Sequence, residues 1–258
     1  MYAVLLLMCK VQRLSLKYER QDALSIILLG FVSMGFYMIL FLEGMHIASP
    51  TEGSIILATT PILTGLMAVA FRQERFSLGA LIGALIGFSG VVLVVLEGAK
   101  SGQGRAIGDV VVFVAAIVWA YSAILMKKLL GRYQPVQLLT LAMPGALIAL
   151  LPYGLVATVN THWLQVSGIG WLLILHLGAL SGALGFAGFY AGVRKIGAAG
   201  AMLYQYFVPP VTVIFAWWFM GSAILGMQLV GLAVVFCGVA ISMHFRKTAQ
   251  LKLEPEPA

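Results

Sequence analysis

The sequence predicts an all-α integral membrane protein, built as an inverted-repeat helical bundle, from three observations. The chain is 61% hydrophobic and 10% charged, with a mean hydropathy of +1.01, whereas a soluble domain is nearer a quarter charged. Apolar runs of about 20 residues, the length that spans a bilayer, recur along its whole length. The third observation is a self-similarity between two parts of the chain 148 residues apart.

The apolar runs divide into eight full spans, at roughly 23–45, 50–71, 78–96, 107–126, 136–157, 168–192, 198–220 and 224–244. The opening MYAVLLLMC is apolar but too short to cross, and it lacks the basic start of a signal peptide. Alternating the connections across a membrane puts 14 of the 16 Lys and Arg residues on one side, leaving only Lys100 and Arg105 on the other. Basic loops stay in the cytoplasm. The 10–22 loop and the C-terminus are therefore expected there, in a multi-pass protein of the inner membrane.

The offset of 148 residues pairs 14 of the 63 positions between 29 and 91 with identical residues and no gap. Among them are Gly30 and Gly178, Ser33 and Ser181, Pro61 and Pro209, Thr64 and Thr212, and Gly90 and Gly238. Similar apolar helices match by chance, but paired glycines and a paired proline are harder to obtain that way. The offset covers five helices, an odd number, so the two copies are expected to face opposite ways. Charge agrees, because the basic loop RQERFS (72–77) maps onto the uncharged MGSAIL (220–225). Inverted repeats underlie alternating access in many secondary transporters. The same offset carries span 107–126 wholly upstream of Met1, and span 136–157 onto residues 1–9 and the positions before them. This predicts a ten-helix protein lacking its first helix and most of its second, with a repeat at 1–98, a second at 107–245 and a tail at 246–258.

Three segments carry a resemblance. They are ASPTEGSIILATTPILTGLMAVAFRQERFSLGALIGALIGFSGVVLV, IGDVVVFVAAIVWAYSAILMKKLLGR and AGAMLYQYFVPPVTVIFAWWFMGSAILGMQLVGLAVVFCGVAI. Together they resemble the EamA-type repeat of the drug/metabolite transporter superfamily over nearly the whole chain. The resemblance implies ten helices as five plus five inverted, and movement of small metabolites, amino acids or drugs. Ser222 stands where the second repeat of this family often keeps the acid that Glu74 supplies in the first.

Pro61 and Pro209 fall about 11 residues into their expected helices, near the middle of the membrane. Each frees the carbonyl four residues earlier, at Leu57 and Gln205. Such backbone at membrane depth is either buried or lines a cavity, so the pair marks a hinge along a solute path or a packing kink. Gln205 and Thr212 share a face with Pro209. With Tyr37, Trp119 and Tyr204 they are the expected path residues, since aromatic walls with a few polar groups suit a small molecule. The alternative for these aromatics is a place in the core.

Gly79, Gly83 and Gly87 form a small-residue face for close helix packing, and the Gly30, Ser33, Tyr37, Gly44 stripe carries a similar one. His176 lies inside its span and is read as a proton relay or as a neutral side chain bonded to a carbonyl. Glu52 follows Ser49-Pro50 in a capping-box pattern. It is read as a helix start or as a proton-linked gate. Glu74 lies between Arg72 and Arg75 and is expected to pair locally.

Other classes are excluded. The net charge of +7 raises nucleic acid as a partner, but in so apolar a chain the placement of charge outweighs its sum. Cys9 and Cys237 sit far apart in apolar runs, without a disulfide framework or a metal site. There is no GxxxxGK[ST], no HExxH and no long soluble loop, so neither an enzyme nor a cofactor is expected. The expected function is secondary transport of a small organic solute, most simply export, with the lipid bilayer and a homodimer as further partners. A non-transporting receptor or assembly subunit, or a transporter inactive without its missing helices, stays open.

Overall fold

The structure, a computed structural model, describes residues 1–48, 50–98, 106–221 and 226–251, apart from some side chains within helices. The described residues form α-helices and contain no strand. In the first half these are α1 (Tyr2–Val11), α2 (Ala23–Gly30), α3 (Tyr37–Ile47), α4 (Pro50–Leu57), α5 (Thr60–Ala70) and α6 (Leu78–Gly98). In the second they are α7 (Ala106–Leu129), α8 (Pro135–Asn160), α9 (Gly168–Leu175), α10 (Phe186–Ile196), α11 (Ala198–Met202), α12 (Val208–Met220) and α13 (Gly226–Leu251). The tail expected from 246 onward continues α13 as far as Leu251.

Six segments are long and apolar enough to cross a membrane: Arg20–Ile47, Gly53–Ala70, Ala106–Leu129, Pro135–Val156, Gly168–Ile196 and Gly226–Thr248. The expected span at 78–96 is α6, counted as a shorter apolar helix over Leu78–Leu93. The expected span at 198–220 is divided into α11, a 3₁₀ segment Leu203–Phe207 and α12. The Arg20–Ile47 segment holds a π-helical turn, Phe31–Phe36, and Gly168–Ile196 holds another, His176–Gly185. Shifted by 148, the first of these falls inside the second.

By packing, the chain forms two compact units. The first joins Met1–Ile39 to Leu125–Ile196, and the second joins Leu40–Ile124 to Gly197–Ala258. Each therefore draws on both halves of the sequence.

In the first unit α2 crosses α8 where a side chain is missing on each. A methyl group on Gly30 would collide with the Ala142 carbonyl, and one on Gly145 with the Ile27 carbonyl. The helices approach backbone to backbone, which maximises dispersion contact where lipid offers no hydrophobic drive. At one end Asp22 receives the Arg132 guanidinium at 3.0 Å on both carboxylate oxygens and the Tyr133 hydroxyl at 2.9 Å. The Glu19 N–H donates in turn to the Tyr133 oxygen. Burial pushes the Tyr133 phenol up from its usual pKa, and the hydrogen bond that Arg132 donates to Asp22 holds the guanidinium more firmly protonated. This cluster ties the start of α2 to the α7–α8 turn. Asp22→Ala is expected to lower the melting temperature in detergent more than Glu19→Ala does. Glu19 is exposed and stands 3.8 Å from the same arginine, and exposed pairs contribute little.

In the second unit α6 and α13 pack along most of their length. A methyl on Gly83 would meet the Gly238 carbonyl at 2.9 Å, and one on Gly90 would meet the Gly231 carbonyl at 2.8 Å. As residue numbers rise along α6 they fall along α13, so the pair is antiparallel. Gly83 and Gly231 are 148 apart, as are Gly90 and Gly238, so the two contacts interchange when each helix takes the other's place. Gly79 lies against the Phe245 ring and Gly87 against the Tyr206 ring. Ser242 donates to the Ala80 carbonyl at 2.9 Å across the same seam.

Candidate functional site

The second unit contains both interrupted helices. In the first, α4 stops at Leu57 and α5 starts at Thr60, with Pro61 in its opening turn. A proline there costs nothing, because its missing N–H would have had no intrahelical partner. The interruption thus precedes the proline. The carbonyl expected to be freed at Leu57 accepts the Thr60 hydroxyl at 2.6 Å, and that of Ile56 accepts the Thr59 hydroxyl at 2.6 Å. Two threonines close the break from within. Thr60→Val is expected to lower stability by about 1–3 kcal/mol, the cost of one unsatisfied buried acceptor, and Thr60→Ser to restore it, both read by thermal melting.

The second interruption occupies the same register. Moving α4's start at Pro50 and α5's start at Thr60 by 148 residues gives Ala198 and Val208, the starts of α11 and α12. The sequence has no hydroxyl at Phe207 or Val208 to copy the first solution. A 3₁₀ segment replaces it, and the Gln205 carbonyl accepts the Val208 N–H. Both carbonyls expected to line a path are therefore bonded locally, a correction that follows from Thr60 in one copy and from the tightened turn in the other. Pro209 is the second residue of α12. Its side chain, and those of Thr212 and Glu52, lie outside the described residues, as does Ser49.

The two interruptions share one core. Ala58 from the first and Leu203 and Tyr206 from the second pack with Ala84 and Val91 of α6 and Val235 of α13. Tyr206, fully buried, donates to the Ala84 carbonyl at 3.0 Å. Ala58 and Tyr206 are 148 residues apart, which the sequence analysis missed because alanine and tyrosine share no identity. Beside them the Gln205 side-chain oxygen is buried without a hydrogen-bond partner. Such a group is an acceptor in search of a donor. Trp119 is buried in the same unit at 3% exposure, whereas Tyr204 is 46% exposed.

Below the interruptions, the α5–α6 loop works as a hub. Arg72 takes a left-handed backbone (φ 57°), letting Gln73 and Glu74 donate their N–H groups to the Ala68 carbonyl. The Gln73 amide donates to the Ile124 carbonyl of α7 at 2.8 Å. Glu74 accepts the Ala199 N–H of α11 at 3.3 Å and the Arg246 guanidinium of α13 at 2.6 Å. The local pairing expected with Arg72 or Arg75 is thus corrected. Turning the chain back at Arg72 aims Glu74 inward, where Arg246 and the Ala199 N–H meet it.

The first unit holds Tyr37 and His176. Tyr37 begins α3 directly after the π-helical turn, half-buried. His176 opens the other π-helical turn on an exposed face with Leu172, Leu173 and Leu180. Ser33 and Tyr190 are fully buried in this unit. Ser33 bonds the Leu29 carbonyl at 2.6 Å, as hydroxyls do inside membrane helices. An open, mainly apolar cleft of about 590 Å³, solvent-open space included, lies between α1, α2 and α8, with Tyr2, Tyr18 and Thr140 among its walls. No described group of His, Cys, Asp and Glu is able to hold a metal ion.

Comparison with known proteins agrees with this arrangement. The chain is 26% identical to the uncharacterized transporter YyaM of Bacillus subtilis, over 85% of this chain and 73% of that protein. It is 27% identical to a probable terminal-alkyne amino-acid exporter of Streptantibioticus cattleyicolor, over 86% and 73%. A probable amino-acid metabolite efflux pump of Salmonella typhimurium is 26% identical, over 87% and 80%. A solved structure, described only as a crystal structure of a protein, superposes with a TM-score of 0.79 at 18% identity, over 98% of this chain and 85% of that one. That likeness shows the fold. The EamA-like transporter family matches residues 1–96 and again 106–243. The chain is therefore a multi-pass helical membrane protein and belongs to the EamA-like transporter family.

Proposed function

We propose that the chain is a secondary transporter that exports an amino acid or a related small metabolite across the inner membrane by alternating access of two inverted repeats, 1–98 and 107–245. One observation carries the reading: equivalent glycines of α6 and α13 exchange places across an antiparallel seam. Helices that correspond in sequence yet run oppositely are what an inverted repeat requires. The shared register of the two interruptions supports it, as do the two family matches. Adding α6 and the α11–α12 segment to the six apolar segments gives eight crossings and a cytoplasmic C-terminus. The substrate class rests on the exporter and efflux-pump relatives.

In this reading Gln205, Trp119, Tyr204 and Thr212 of the second unit contact the solute, and Pro61 and Pro209 mark the hinges. The unpartnered Gln205 oxygen suits the ammonium of an amino acid. His176 or Glu52 would couple the movement to protons. Proteoliposomes loaded with a panel of labelled amino acids test the proposal, with and without a pH gradient. Solute should leave faster than from protein-free vesicles, and Gln205→Ala should slow it while the protein stays monodisperse. Release no faster than from protein-free vesicles across the panel would sink the transport reading in favour of a receptor or assembly subunit.

A further inference from the structure

The second unit carries a crevice on its basic end that shares Pro61 with the transport reading but is otherwise unused by it. It is an open groove between α5 and α6, of about 390 Å³ with its solvent-open space included. Pro61, Ile62, Leu66 and Val69 form one wall, with Ala80, Leu81 and Ala84 opposite. From Val69 to Pro61 the wall runs eight residues, about 12 Å of helix. At its edge Leu66 is 48% exposed and Phe76 57% exposed, so it opens outward, toward lipid in a membrane protein.

One end is polar and positive. Arg246 reaches in over Gly65, which has no side chain to block it: a methyl there would lie 3.0 Å from the guanidinium. Its Nε is buried with no hydrogen-bond partner. Arg75 is exposed at the same end. Ser77 caps the N-terminus of α6, accepting the Ala80 N–H at 3.3 Å, so the helix adds its positive dipole end. The only acid among these groups, Glu74, is spent on Ala199 and Arg246. The end therefore presents positive charge and a buried unsatisfied donor to an apolar slot.

We infer that this crevice binds an anionic phospholipid of the leaflet on its basic side, with the phosphate on Arg75, Ser77 and the Arg246 Nε–H and an acyl chain along α5 and α6. A free phosphate would leave the slot empty, and a zwitterionic lipid would gain less from the arginines. Basic pockets among membrane helices on the cytoplasmic side recognise acidic headgroups in this way. The inference needs the protein to sit in a membrane but does not depend on transport, so the two fail separately.

The test is thermal melting of the purified full chain in neutral detergent. Phosphatidylglycerol, phosphatidylcholine of the same chains, and inorganic phosphate are titrated separately. Phosphatidylglycerol should raise the melting temperature at a lower mole fraction than phosphatidylcholine, and inorganic phosphate should do nothing. Arg75→Gln, on an exposed side chain, should raise the half-saturating mole fraction about fivefold, the usual share of one basic residue near an acidic headgroup. Val69→Trp fills the slot and should abolish the response. Equal responses to the two lipids, a full response to phosphate alone, or an unchanged Arg75→Gln titration would each overturn the inference.

Discussion

Gly238→Leu is expected to yield almost no monodisperse protein in detergent. At Gly238 the backbone of α13 lies against the backbone of α6: even a methyl would land inside the contact radius of the Gly87 N–H and 2.8 Å from the Gly83 carbonyl. Backbone atoms do not move aside as a side-chain tip does. Overpacking a flexible core costs about 1–3 kcal/mol, and here four carbons must enter a seam of two rigid helices. The loss rivals the whole stability of a domain, about 5–15 kcal/mol. Gly83→Leu should behave alike, since it faces Ser242 and Gly238 from the other helix. Gly154→Leu and Gly188→Leu provide the contrast, because nothing lies within 4 Å of a side chain added at either. All four variants are compared by size-exclusion profile and melting temperature. A Gly238→Leu protein as monodisperse as Gly188→Leu would contradict the seam.

What the sequence makes legible here is what periodicity and identity record. The apolar runs announce membrane helices, and the glycine spacing in 79–87 marks a surface that α6 presents to a close neighbour. The offset of 148 predicts where α11, α12 and α13 begin from where α4, α5 and α6 begin. Local chemistry is less legible. Prolines 61 and 209 point to the interruptions, yet each helix stops before its proline. The carbonyls at the break are closed by Thr59 and Thr60 in one copy and by a 3₁₀ turn in the other. Nothing in a run of apolar letters tells which. Long-range pairing is least legible: Glu74 has two arginines beside it in sequence and still binds Arg246, 172 residues away. The choice depends on the reversal at Arg72, a backbone conformation that arginine seldom takes. Tyr206 is illegible for another reason: its partner in the repeat, Ala58, is an alanine.

Arg246→Met is expected to destabilise the protein by about 3–5 kcal/mol, the cost of stranding one member of a buried ion pair. The Arg246 and Glu74 side chains are 14% and 7% exposed, so water offers neither a substitute partner. Glu74→Gln should cost less than Arg246→Met. Its amide oxygen can still accept the Ala199 N–H, and the guanidinium it leaves behind lies at the basic end of the α5–α6 crevice. The double variant Glu74→Gln/Arg246→Met removes both charges and keeps the aliphatic bulk of each side chain. Since neutral replacements of buried pairs are often tolerated, its loss should fall short of the sum of the single losses by about 1–3 kcal/mol, the usual size of coupling between groups in contact. The coupling should also change little between low and high salt, because buried pairs are screened weakly. Denaturation curves of the four proteins at two salt concentrations measure it. Additive losses would mean that Glu74 and Arg246 act independently, and the loop at Arg72 would then be held by Gln73 and its own hydrogen bonds alone. A large, salt-insensitive coupling would make one carboxylate the tie between the α5–α6 loop, the start of α11 and the end of α13.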